Sequence, residues 1–182
     1  MIKIAYTLGE EDYLNHQLYV ASKSERIISK RKRNRFLLPI FYVLFGVLSL
    51  FTGLLLLGIT FVVLAIVWFF VYPVWEAKRY IKHFKGFIKE NYKPEENGES
   101  TILFDENSLL ASDSGSEGRV NYTELKRIEE TPTLFILRMS GVQAFVLPKN
   151  QLEEVESFRK YLKSLSQKCQ IDFVQDSEWK WK

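Results

Sequence analysis

At 182 residues with a formal net charge of +3, the chain suffices for one domain with a sizeable core, or for a small domain joined to a membrane segment. Its charge is segregated: residues 1–35 carry eight Lys/Arg against four acids, residues 36–75 carry none, residues 76–93 six against two, and residues 94–182 eleven against sixteen, so the only sizeable polar part is acidic and nucleic-acid binding by it is not expected. A single cysteine, Cys169, excludes an intramolecular disulfide and any multi-cysteine metal site, fits a reducing compartment, and is read as an inert residue near a helix end.

In chain order, "IKIAY" alternates as a strand, and Thr7 with Glu10 has capping-box spacing for a helix through Tyr13, Leu14, Leu18 and Ala21 that continues into a basic cluster. Forty residues without Asp, Glu, Lys, Arg or His then run from Phe36 to Trp75. As helix they would extend roughly 60 Å, about twice the ~30 Å hydrocarbon core of a bilayer, which predicts two antiparallel spans at about 36–53 and 55–75. Ser49, Thr52 and Gly53 suit the turn between them. A buried hairpin of a soluble protein would show a polar face at a period near 3.6, and this run has none.

Arg26, Lys30, Arg31, Lys32, Arg33 and Arg35 stand before the run, and Lys78, Arg79, Lys82 and Lys85 after it, while the turn is uncharged. Cations close to spans are retained in the cytoplasm, so the expected topology is multi-pass in the cell membrane with both termini inside. A hairpin that dips into the bilayer without fully crossing is the alternative. The same ten cations either only set this topology or also gather anionic lipid headgroups.

Residues 76–95 read as an amphipathic helix leaving the membrane, with Tyr80, Ile81, Phe84, Phe87 and Ile88 on one face, ending before Pro94 and Gly98. From Ser100 the period becomes two. "STILF", "SLLAS", "GRVNY", "LKRIEE", "LFILRMS" and "QAFVL" are six predicted strands separated by turn clusters that include "DSGSEG" and Ser140-Gly141. After Pro148, Asn150 as N-cap with Glu153 at N3 predicts a helix whose apolar stripe is Leu152, Val155, Phe158, Leu162 and Leu165. The fold class is thus α+β: residues 1–35 as strand, helix and basic cluster, 36–75 as a transmembrane hairpin, 76–95 as a juxtamembrane helix, and 96–182 as a cytoplasmic PH-like antiparallel β domain closed by a C-terminal amphipathic helix. Six strands are one short of seven, so "IKIAY" is expected to join that sheet. Trp179 and Trp181 in the tail "SEWKWK" either lie at the membrane interface or pack on the sheet, the second being favoured.

The opening "YTLGEEDYLNHQLYVASKS", the basic stretch and two apolar helices, and then "FDENSLLASDSGSEGRVNYTELKRIEETPTLFILRMSGVQAFVLPKNQL" together resemble the YcxB-like family of bacterial membrane proteins. The resemblance covers nearly the whole length, and its core, Tyr122 to Lys149, is a pattern of apolar spacing. It implies a two-helix membrane protein with a cytoplasmic PH-like domain, and it carries over no residue roles.

The residues themselves offer no catalytic constellation. His16 and His83 have no metal-ligand spacing and are read as polar helix-face residues; Gly115 to Gly118, "GSEG", lacks the context of a nucleophile elbow and is read as a hairpin turn. Asp105 and Glu106 occupy a loop where a phosphoinositide site would need cations, so specific headgroup recognition there is not expected. The expectation is therefore a noncatalytic membrane protein without cofactor or metal, whose β domain binds a protein partner or its own copies. The alternative is an accessory or oligomeric component of a transport or pore complex, with Gly46, Ser49, Thr52, Gly53 and Gly58 permitting close helix packing.

Overall fold

Strand β1 (Ile2–Tyr6) pairs antiparallel with β2 (Ser100–Phe104), Ile4 facing Ile102, although the whole helical part of the chain lies between them. The computed structural model describes residues 2–91, 98–113, 116–141 and 143–182. Two units emerge: one gathers the chain up to His16 with Phe87–Lys180, the other Gln17–Gly86 with Trp181 and Lys182.

In the first unit, β3 (Ser108–Asp113) and β4 (Ser116–Asn121) extend β1 and β2 into a four-stranded antiparallel sheet of order β1-β2-β3-β4. A second sheet has the order β7-β6-β5-β8, built from β5 (Leu125–Glu130), β6 (Leu134–Met139), β7 (Ala144–Pro148) and β8 (Asp172–Gln175). Successive side chains on a strand point to opposite faces, so Ile4, Tyr6, Ile102 and Phe104 from one sheet and Ile128, Phe135, Leu137 and Leu147 from the other reach a single core. A helix, Val155–Cys169, closes this core by inserting Phe158, Leu162 and Leu165. The Phe158 ring meets Phe104 at 5.6 Å and Phe135 at 5.5 Å edge-on, the geometry aromatic quadrupoles prefer.

All six strands expected downstream of residue 99 are present, and β1 joins them as expected. Strand β8, which runs parallel to β5, is additional: four residues with only Phe173 and Val174 apolar carry too short an alternation to distinguish them from a tail. Tyr122 leaves the strand pattern and opens a 3-10 turn, Tyr122–Glu124, where Asn121 and Glu124 form a capping box. The tip of the "DSGSEG" turn, Ser114 and Gly115, falls outside the described residues, as does Pro94.

Both expected helix caps are displaced. Helix α1 (Glu10–Lys23) is capped at Gly9, whose N–H donates to Asp12 Oδ2 at 3.0 Å, while Thr7 makes two main-chain hydrogen bonds with the Gln151 amide. Asn150 lies in a 3-10 turn, Lys149–Gln151, because Lys149 and Gln151 on either side are held elsewhere; the helix starts only at Val155.

In the second unit, α1 does not continue smoothly into the basic cluster: Ser24 is extended, and α2 (Glu25–Phe51) starts after it. The following helix, α3 (Leu55–Asn91), runs unbroken, so the second apolar segment and the amphipathic segment after it are one helix. The turn is a Schellman cap, with Leu54 N–H donating to Ser49 O at 2.9 Å, Gly53 N–H to Leu50 O at 3.1 Å, and Gly53 at φ +77° where side-chain-bearing residues are strained. Gly46 and Gly58 let α2 and α3 approach: a Cβ on Gly58 would sit 2.7 Å from Leu50 and 3.0 Å from the Gly46 carbonyl oxygen. Both helices are long and apolar enough to cross a membrane, and the unit leaves their apolar side chains outward, Phe51 at 85% and Leu56 at 82% exposure. The remaining helix, Val155–Cys169, is α4.

Candidate functional surfaces

The ten flanking cations all lie on α2 and α3 within the second unit, but they do not act alike. Lys30, Arg79, Tyr80 and His83 line a cleft of about 300 Å³, and Lys30 also lines a recess of about 450 Å³ with Arg26, Ser29 and Arg33. Arg31 turns away to Glu76, donating from Nε to Oε2 at 3.1 Å, and Glu76, nearly fully buried, also accepts the Tyr72 hydroxyl at 2.6 Å. Arg35 stacks over Phe69 at 4.2 Å and Arg79 over Trp75 at 5.1 Å, while Lys32, Lys78, Lys82 and Lys85 are exposed. Glu76 went unnoticed in the sequence, where it reads merely as the end of the apolar run; its signal is that it is the first acid after forty uncharged residues.

The tail tryptophan does not pack on a sheet. Trp181 donates its Nε1–H to Ala77 O at 3.1 Å, stacks edge-on against Tyr80 at 5.6 Å and receives the Arg31 guanidinium over its ring at 4.7 Å. Arg31 also donates to the main-chain oxygen of Lys182. An indole needs both an apolar bed and an acceptor for its N–H, and α3 supplies both here.

In the β unit the parity of β5 puts Glu130 on the same inward face as Ile128, opposite Phe135. Its fully buried carboxylate is matched from two directions. Arg159 on α4 donates from Nε and Nη2 at 2.7–2.9 Å, and Lys149, just past β7, donates from Nζ at 2.7 Å while lying 4.8 Å from the Phe135 ring. Burial pushes the Glu130 carboxyl up, but the hydrogen bonds from Arg159 and Lys149 outweigh it and hold the group below the usual carboxylate value. On the opposite face of the strand, Glu129 pairs with Arg138 at 2.5 Å. The sequence signal for both was two adjacent glutamates closing a strand, Leu125–Glu130, whose other members are Leu125, Lys126, Arg127 and Ile128. The cations around Glu130 are spent on hydrogen bonds to it, to Thr131 and to Glu156, so the cluster ties β5, β7 and α4 together and presents no free acid or nucleophile.

His16 is not a solvated helix-face residue. Burial, with Arg138 as the second cause, lowers its imidazole to about 4, and among the described residues its Nε2 has no hydrogen-bond partner, as a neutral ring permits. His83 is exposed beside Phe84, with ring centroids 5.5 Å apart. Among the described residues no group of three or more His, Cys, Asp or Glu converges as a metal site. A groove of the β unit, about 580 Å³, follows β1 and the start of α4 past Lys3, Ala5, Leu152, Glu154 and Phe158. Asp105 and Glu106 flank a smaller cleft with Tyr161 and Lys168.

Residues 104–162, about a third of the chain, match the family model described as YcxB-like protein. That stretch runs from the end of β2 into α4 and contains Glu130, Lys149 and Arg159, whereas β1, α2 and α3 lie outside it. No curated protein and no solved structure matches the chain.

Proposed function

With a YcxB-like β unit as premise, we propose that the chain is a noncatalytic integral membrane protein whose α2 and α3 cross the bilayer as a hairpin, holding a PH-like β unit on the cytoplasmic side. The observation that carries this is the pairing of β1 with β2. Residues 2–6 and 100–104 belong to one sheet, so whatever lies between them must cross any membrane an even number of times. Forty uncharged residues provide length for two crossings, and the cations at both ends favour retention of those ends in the cytoplasm. Seven antiparallel strands in two sheets with α4 across the core support the PH-like reading, and β8 extends it.

Cys169 is the only cysteine and is partly exposed, so it reports the side of the β unit directly. A membrane-impermeant maleimide is expected to label it in inside-out vesicles and, in right-side-out vesicles, only after permeabilisation; labelling of intact right-side-out vesicles overturns the topology.

The β unit is assigned a protein-binding role, toward a partner or a second copy. The groove along β1 supports it, since an edge strand offers unpaired main-chain groups to an extended segment. A photo-crosslinking residue at Lys3 is expected to capture that segment in the membrane, and an absence of adducts from this position refutes the role of the groove. The transport-accessory reading gains nothing from the small residues, because Gly46, Ser49 and Gly58 are buried, with the two glycines at the α2–α3 contact of a single chain.

A further inference from the structure

In the β unit Arg127, Arg138, Lys149 and Arg159 each have a carboxylate within ion-pair distance. In the helical unit Arg31 has Glu76, yet among the described residues Lys30, Arg33 and Arg79 have no acidic partner. Lys30 and Arg79 come from different helices and meet at one cleft, with the Tyr80 and His83 side chains completing its wall. No acid lines that cleft or the adjoining recess of Arg26, Ser29, Lys30 and Arg33. Two concave surfaces that share a lysine, and whose polar side chains are all cationic, hydroxyl or imidazole groups, are chemically suited to a phosphate.

Their depth identifies the phosphate. Arg33 and Lys30 lie three and six residues before Phe36, and Arg79 four residues after Trp75. At 1.5 Å per residue these are roughly 4.5, 9 and 6 Å outside the apolar block, and the headgroup layer occupies about 5–8 Å on each side of the hydrocarbon. Long cationic side chains span the remaining difference by snorkelling. Arg79 is already held over Trp75, which limits the freedom it would lose on gripping an oxygen pair with its planar fork.

We propose that the cleft formed by Lys30, Arg79, Tyr80 and His83 is a binding site for the phosphate of one anionic phospholipid, with the Arg26–Arg33 recess taking the rest of the headgroup. This rests on the proposed membrane insertion of α2 and α3 and goes beyond it by distinguishing a discrete site from a diffuse basic collar. Lys30 and Arg79 bind, whereas Lys32, Lys78, Lys82 and Lys85 only add to the local potential.

The test uses the full chain in nanodiscs of phosphatidylcholine containing a minor share of phosphatidylglycerol, with native mass spectrometry counting the lipids that stay bound on release. The expected result is preferential retention of phosphatidylglycerol, falling about tenfold in the Lys30→Gln/Arg79→Gln variant. A Lys32→Gln/Lys78→Gln variant, which removes the same charge outside the cleft, is expected to retain it. A charge-preserving Lys30→Arg variant, which keeps the Arg79 fork, is expected to retain binding and separates loss of charge in the cleft from disturbance of the fold. Equal losses in the two neutralised variants, or no preference in the unaltered chain, overturn the site. Displacement of the lipid by millimolar inorganic phosphate assigns the cleft to a soluble phosphate and overturns the lipid. Extraction of the protein from membranes by alkaline carbonate is a failure of the insertion reading itself and is scored separately, before lipid is counted.

Discussion

Glu130 shows how one buried charge can organise several elements. Removing its charge leaves Arg159 and Lys149 with a partly unsatisfied, desolvated environment, and breaking a buried pair in this way costs about 3–5 kcal/mol. Glu130→Gln is therefore expected to lower the stability of the β unit by that order, read by denaturant unfolding followed through fluorescence, while Glu129→Gln costs less because Arg138 is more exposed than Lys149 or Arg159. The same groups set a pH dependence. The carboxyl of Glu130 is depressed on folding, so its contribution is present above the unfolded carboxylate value and is lost as pH falls through the folded one. The imidazole of His16 is lowered to about 4, so between its ordinary value of 6.5 and 4 the unfolded chain takes up the proton first and folding weakens as pH falls. The midpoint of thermal unfolding is expected to decline from about pH 6.5 downward. His16→Gln is expected to flatten the upper part of that decline, and an unchanged profile counts against the burial of His16. None of this was legible in the sequence, where a histidine on a polar helix and a Glu-Glu pair in a strand carry no sign of what will face them.

At the scale of elements, the hairpin turn was legible and its packing was only half so. Thr52 and Gly53 announce a turn by their conformational preferences, and the Schellman cap uses Gly53 in the left-handed region. Gly46 and Gly58 were visible as small residues, but their pairing within one chain depends on the rotation of two helices, which periodicity cannot supply in a run that is apolar on every side. Gly58→Val is expected to force α2 and α3 apart, since even a Cβ meets the Gly46 carbonyl at 3.0 Å; a loss of about 1–3 kcal/mol is the usual cost of such overpacking. Disulfide crosslinking between cysteines introduced on the facing helices reads the separation, and unimpaired crosslinking refutes the close approach. The helix caps failed as predictions for a different reason. Thr7 and Asn150 have the right side chains for capping, but Gln151 is drawn to Thr7 and Lys149 to Glu130, and these long-range hydrogen bonds override local preference.

For the whole molecule, the alternation of "IKIAY" and the six later strands made the α+β class legible, because a two-residue period requires a face to bury and therefore a common core. What could not be read was that β1 occupies the edge of its sheet with only β2 as a neighbour. Ile4 lies in the core at that edge, so Ile4→Asp is expected to detach β1 while leaving β2–β4 paired. Hydrogen exchange reads this as lost protection confined to residues 2–6 and 100–104. Loss of protection throughout both sheets would mean that β1 is needed for the whole core.

The pairing of β1 with β2 also imposes an order on folding. β1 leaves the ribosome first, yet its partner is synthesised only after both long helices, so ninety-odd residues separate the two halves of a single ladder. Contacts between such distant segments form late, because the intervening chain must be drawn together before any bond repays that entropy. The β2–β3 and β3–β4 hairpins need no such closure and can form as soon as residues 100–121 emerge. The Gly46–Gly58 contact, far from β1 and β2 in sequence, shortens the loop that their ladder must close and so lowers the entropy lost in closing it.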